Sequence, residues 1–261
     1  MTMRAAAALF VLSATLLLAG PASAITGGSP DGSAHPYVGA ARNGVNVCSG
    51  TLVSPTLFLT AAHCFSDSTS AFGTDASGNP IVRVKIDMPD GSRVVVTGEN
   101  HGDPAFCSGC KNGTPGVLAH DIAVVTLDQP VRLAGYPKLA APSFDASLPM
   151  GTSALIVGYG TQDFETGGGQ PQPLNNGLRY AAPTALNQSD GVLSDSFLKL
   201  ASSQSSGNGG ICFGDSGGPV LYGNTILAVD SFVMNNDCKG VSYAYRVDTS
   251  AARAFLSGFG L

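Results

Sequence analysis

Apolar residues in this chain come in short runs, not at helical spacing. "GTLVSPTLFLTAA", "IVRVKIDM", "RVVVTG", "IAVVTL", "SALIVGYG", "PVLYG" and "TILAVDSFV" are separated by turns rich in Gly, Pro, Asn, Asp and Ser. Runs of this length and composition read as β-strands, and their close spacing predicts a sandwich or barrel. One helix is predicted at the end, where Asp248 or Thr249 can cap "SAARAFLSGF" ahead of Gly260. "KLAAPSFDASLPMG", residues 138–151, carries prolines and little periodicity, so it reads as a connector between two β units. Residues 162–177 and 202–210 read as exposed loops.

The first 24 residues differ from the rest. Arg4 precedes the apolar run "AAAALFVLSATLLLAG", and "ASA" ends the segment at Ala24. That is the pattern of a secretory signal peptide, and the apolar run is shorter than the roughly 20 residues a spanning helix needs. The mature chain is then expected to start at Ile25 and to be secreted, with no membrane association after signal removal. The 261 residues are 44% hydrophobic, enough for a sizeable core. The formal charge is −5, and no Lys/Arg cluster could neutralise a row of phosphates, which argues against nucleic acid as a partner. All six cysteines lie in the mature part, where an oxidising compartment favours three disulfides. Cys107 and Cys110 form a lone C-x-x-C, better suited to a small loop staple than to half a zinc site.

Candidate chemistry centres on "CFGDSGGP", residues 212–219, which sets Ser216 on a glycine-rich turn. A serine hydroxyl is a weak nucleophile and needs a neighbouring base. Of the four histidines, His63 has the context for that task. "LTAAHC" puts it at the end of an apolar strand beside Cys64, where a disulfide to Cys48 would hold its backbone still. A loop of that size makes the cross-link worth about 3 kcal/mol in the chain-entropy model. The imidazole needs an acceptor on its other nitrogen, and "HDIAVVTL" offers Asp121 just ahead of an apolar strand.

TAAHC, DIAVVTL and GDSGGP, in the order His, Asp, Ser, together resemble the chymotrypsin/trypsin family of serine peptidases, in its secreted, bacterial- or fungal-type form. The resemblance runs from "ITGG" at Ile25 to the terminal helix. It implies an all-β fold of two six-stranded antiparallel Greek-key barrels packed together with a short C-terminal helix. The first barrel would cover about residues 25–140, the second about 141–247, and the helix about 248–259. It implies that Ser216 attacks, that His63 serves as base and then acid, and that Asp121 orients His63. The backbone N–H groups of Gly214 and Ser216 would form the oxyanion hole, and Cys212 would pair with Cys238, leaving Cys107 with Cys110. By the same resemblance Asp215 awaits the Ile25 amino group, which signal cleavage would create with no propeptide between.

The position six before the nucleophile, the pocket floor in this family, is Gly210, so the acid of an Arg/Lys-specific enzyme is missing. Ser231, Phe232 and Val233 match the wall of the pocket, and Val233 is expected to narrow it, as in elastases. Protein or peptide substrates, a monomer, no cofactor and no metal are expected. Two other readings share parts of the pattern. A non-catalytic relative that only binds a partner would usually lack a triad member, and all three are present. An esterase would carry G-x-S-x-G on a strand-to-helix elbow, against which stand the His-Asp-Ser order and the β-rich surroundings.

Overall fold

A computed structural model describes residues 25–66, 69–108, 118–161, 163–165, 172–174, 177–187, 193, 195–202, 206–235, 238 and 240–261. The segment read as a signal peptide lies outside them, as does Cys110. Six strands close a first barrel: β1 (Val38–Arg42), β2 (Val47–Leu52), β3 (Leu57–Thr60), β4 (Ile81–Asp87), β5 (Arg93–Gly102) and β6 (Ala123–Leu127). Their order is β1-β2-β3-β6-β5-β4, with β4 returning to β1. Six more close a second: β7 (Ser153–Gly158), β8 (Tyr180–Asn187), β9 (Phe197–Ser202), β10 (Pro219–Tyr222), β11 (Thr225–Val233) and β12 (Gly240–Arg246). Here the order is β8-β7-β10-β11-β12-β9, and β8 pairs with β9 to complete the ring. Every pairing within the two rings is antiparallel.

Alternation decides which face is core. In β4, Val82, Val84 and Ile86 are fully buried while Arg83 points outward, and each such aliphatic burial is worth about 1.5–3 kcal/mol. In β8 the same period buries Tyr180, Ala182, Thr184 and Leu186. The chain ends in α1 (Ser250–Ser257), whose cap is Thr249: its hydroxyl accepts from Ala252 N at 3.1 Å. Asp248, the other candidate cap, binds Arg246 instead. Among the described residues no helix is long and apolar enough to cross a membrane.

Two segments differ from the sequence reading. Within the expected loop 162–177, residues Asp163–Glu165 and Gln172–Leu174 pair as a small antiparallel ribbon. Within the connector, Lys138–Leu139 runs parallel to the start of β11.

The barrels are joined by specific contacts. Ser49 on β2 receives the most use: its N–H donates to Ser216 O at 2.8 Å, its hydroxyl donates to Gly214 O at 2.8 Å, and Tyr159 N donates to that hydroxyl at 2.9 Å. A first-barrel strand thus fixes the backbone of the second-barrel serine turn. Arg179, just ahead of β8, is buried and donates to Asp31 Oδ2 at 2.6 Å, to Gly32 O at 2.7 Å and to Val38 O at 3.1 Å. It ties the segment after Ile25 to both barrels.

Candidate active site

His63 sits on a 3-10 turn, Ala62–Cys64, directly after β3, and the Cys48–Cys64 disulfide straps that turn to β2. Asp121 approaches from a kinked entry into β6. His120 adopts φ 53°, and Ile122 N closes a tight turn onto His120 O at 2.9 Å, which aims the Asp121 carboxylate inward. There one oxygen accepts from His63 N at 2.9 Å, and the other meets His63 Nδ1 at 2.8 Å. Ser231 Oγ donates to that second oxygen as well.

These contacts set the charges. Burial would push the Asp121 carboxyl up, but the His63 imidazole and the Ser231 hydroxyl hold it below the ordinary aspartate range. Burial pulls His63 down, yet the Asp121 charge and hydrogen bond overcome this and leave the imidazole above its usual value.

The serine turn owes its shape to glycine at two positions. Gly214 has φ 95° and Gly217 has φ 85°, a region that side chains strongly disfavour. A Cβ on Gly217 would also lie 2.2 Å from Thr60 Oγ1 and 2.3 Å from Ser49 O. Within the turn the N–H groups divide into two sets. Those of Asp215, Gly217 and Gly218 donate to Cys212 O, Asp230 O and Asp215 O, whereas among the described residues those of Gly214 and Ser216 donate to no backbone carbonyl. The Cys212–Cys238 disulfide anchors the start of the turn. Cys107 is also disulfide-bonded, but its expected partner lies outside the described residues.

His63 and Ser216 line one cavity of about 230 Å³, together with Ile211, Cys212, Phe213, Ser231, Phe232 and Val233. Three of the four expected pocket residues, Ser231, Phe232 and Val233, are therefore there. Gly210 is not: it is bridged on both sides to Thr26, and a Cβ there would fall 2.6 Å from Ser202 Oγ. Ser202 and Thr26 pack against the space a side chain at 210 would need. Opposite Val233 stands Ser242, its register partner on β12. Phe232 is fixed by stacking on Tyr243, ring centroids 5.0 Å apart. A β-bulge between Asp230 and Phe232 turns the Ser231 hydroxyl to Asp121.

Ile25 is fully buried, and Thr26 pairs with Gly210 through N–H···O bonds of 3.0 Å in both directions. Asp215 is fully buried too; one carboxyl oxygen accepts from Gly160 N at 2.8 Å and the other from Cys212 N at 2.9 Å. Burial pushes this carboxyl up to about 7, against the pull of those two N–H groups. Sequence reasoning missed Asp230, a fully buried acid that looks like an ordinary strand residue in "TILAVDSFV". It also missed Ser242, which only the strand register brings beside Val233.

Two closed antiparallel barrels with a histidine–carboxylate contact facing a glycine-framed serine define a chymotrypsin-like serine peptidase domain. The Trypsin family model matches residues 25–254, and the chain belongs to that family. It is 28% identical over 225 residues to Serine protease SP24D of Anopheles gambiae, covering 81% of this chain and 72% of the relative. It is likewise 28% identical over 203 residues to a trypsin of Saccharopolyspora erythraea, covering 76% and 81%. Because the relatives include insect and mammalian proteins, a bacterial- or fungal-type subclass is not supported. Among solved structures, a double mutant of human heparin binding protein superposes with a TM-score of 0.64 at 19% identity, over 90% of this chain and 96% of that one. Mouse neuropsin gives the same score at 17% identity, covering 87% and 95%. These two likenesses speak for the fold alone.

Proposed function

We propose that the protein is a secreted serine endopeptidase that cuts proteins or peptides through His63, Asp121 and Ser216. The observation that carries this reading is the shared cavity: His63 and Ser216 face it from different barrels, with buried Asp121 on the far nitrogen of His63. Ser216 Oγ attacks the scissile carbonyl carbon while His63 Nε2 takes its proton. The carbonyl electron pair moves onto oxygen, where the free N–H groups of Gly214 and Ser216 receive it. On collapse the C–N bond breaks, His63 returns the proton to the leaving amine, and an acyl-Ser216 ester remains. Water, deprotonated by His63, then attacks that ester, releasing the acid and restoring Ser216.

The pocket favours a small or medium aliphatic side chain ahead of the cleaved bond. Val233 lines the cavity, Ser202 crowds the side-chain space at Gly210, and no acid lines the cavity among the described residues. Signal cleavage after Ala24 frees the Ile25 amine, which pairs with Asp215. The burial of Ile25 and the absence of any cation on Asp215 among the described residues support this.

Cleavage of a peptide library by the purified protein and by Ser216→Ala tests the reading. Cleavage after aliphatic residues, abolished in the variant, is expected. Equal cleavage by both proteins defeats the mechanism, and a strong preference for Arg or Lys defeats the pocket assignment. Since catalysis needs neutral His63, kcat/KM is expected to fall as pH drops through a value above the ordinary imidazole pKa of about 6.5.

A further inference from the structure

The proposed mechanism uses Asp121 and Asp215 and leaves a third buried carboxyl without a role. Asp230 is fully buried, and among the described residues neither of its carboxyl oxygens has a hydrogen-bond partner. It lies on the strand directly before Ser231, whose hydroxyl meets Asp121. Its backbone is bonded to the serine turn on both sides: Gly217 N donates to Asp230 O at 2.7 Å, and Asp230 N donates to Gly218 O at 2.8 Å. A Cβ on Gly218 would stand 3.2 Å from Asp230 Oδ2, 2.9 Å from Asp215 O and 2.6 Å from Val157 O. The carboxyl is therefore packed against the inner side of the turn that carries both Asp215 and Ser216. A valine there would cost nothing electrostatically, whereas an unpartnered acid is expensive to bury.

We propose that Asp230 is the second carboxyl of the receptor for the freed Ile25 amino terminus, so that Asp215 and Asp230 hold one proton and one ammonium group between them behind the nucleophile. This rests on the Ile25–Asp215 pairing proposed above. One ammonium, one carboxylate and one carboxylic acid sum to zero charge, the only balance a site without solvent tolerates. The groups facing Asp230 support it. The serine turn contributes Asp215, the carboxyl that the Ile25 amine is proposed above to reach. β12 contributes Ala244 and β7 the backbone of Val157, neither of which titrates. Burial and the Asp215 charge both push the Asp230 carboxyl well above the usual range. Asp230 is then a positioning residue: its proton keeps the acid pair singly charged, and its ionisation at alkaline pH puts a second negative charge against the turn.

The test compares the mature protein with Asp230→Asn in two measurements. The infrared carbonyl stretch of a protonated carboxylic acid is expected in the wild type at neutral pH and expected to vanish in the variant. The alkaline limb of kcat/KM is expected to move to higher pH by about one unit, a tenfold change in the ionisation constant. Should the amide not fold, Asp230→Val enters the same two measurements. An infrared spectrum with no acid band lost, or an alkaline limb that stays in place, overturns the proposal. A chain carrying one extra residue before Ile25 separates the two claims. It is expected to be inactive whatever stands at position 230, and full activity in it would overturn the amino-terminus pairing itself.

Discussion

Two buried acidic regions of this protein have opposite characters. Asp31 is nearly sealed from solvent, yet all its polar capacity is used: Arg179 Nε at 2.6 Å, His35 N at 3.1 Å and His35 Nδ1 at 2.5 Å. Burial pushes its carboxyl up, but His35 and Arg179 hold it below the usual range. Asp215 and Asp230 are as deeply buried and have no cation among the described residues. One has two backbone N–H groups and the other has nothing. Complete pairing marks Asp31–Arg179 as a structural clamp between the chain start and the barrels, while incomplete pairing behind Ser216 marks a site that waits for charge.

Breaking each region should expose that difference. The largest effect is expected from Asp215→Asn, which on the proposed pairing leaves the Ile25 ammonium without its partner. Loss of a buried pair is worth about 3–5 kcal/mol, so kcat/KM should fall on the order of 10²–10³-fold or more, with the far-ultraviolet circular dichroism unchanged. Next, Arg179→Met strands the Asp31 carboxylate and should lower unfolding free energy in urea by about 3–5 kcal/mol. Adding Asp31→Leu should recover much of this, since no charge is then left buried alone. The kcat of both variants at temperatures where they remain folded should stay near that of the wild type.

A smaller effect of opposite sign is expected at Asp230→Val. Because the folded-state carboxyl titrates above the unfolded one, the wild type loses stability as pH rises past the unfolded value of about 3.9. The variant should therefore be more stable than wild type near neutrality, by about 1–4 kcal/mol. That advantage should vanish near pH 3, where both states hold the proton. A variant less stable than wild type at pH 7 would mean that what Asp230 shares with Asp215 and the Ile25 amine outweighs the cost of burying it.

What could be read from the sequence follows the same division. His63, Asp121 and Ser216 stand in local strings whose chemistry is carried by their immediate neighbours, so they were visible before any fold. Strands rich in Val, Ile and Leu were visible too, whereas β1 ("VGAAR") and β8 ("YAAPTALN") were not. Alanine, glycine and proline give little strand signal, and tertiary pairing alone makes strands of them. The acid at 230 was illegible for a related reason: its strangeness lies in Asp215 and Gly218, which another segment brings against it. Ser231 lines the cavity as its place in the sequence suggests, but its bond to Asp121 was not legible, because a bulge unseen in sequence turns the hydroxyl there. At Gly210 only the fold shows how closely Ser202 and Thr26 crowd the space a side chain would need.

The central claim is that Ser216 is a nucleophile activated by His63. Treating the mature protein with a serine-reactive phosphonate and mapping the adduct by mass spectrometry tests it most directly. A single adduct on Ser216, formed in step with loss of proteolysis and absent from His63→Ala, is the predicted result. An adduct on another residue, or Ser216 labelling that proceeds at the same rate without His63, would contradict it.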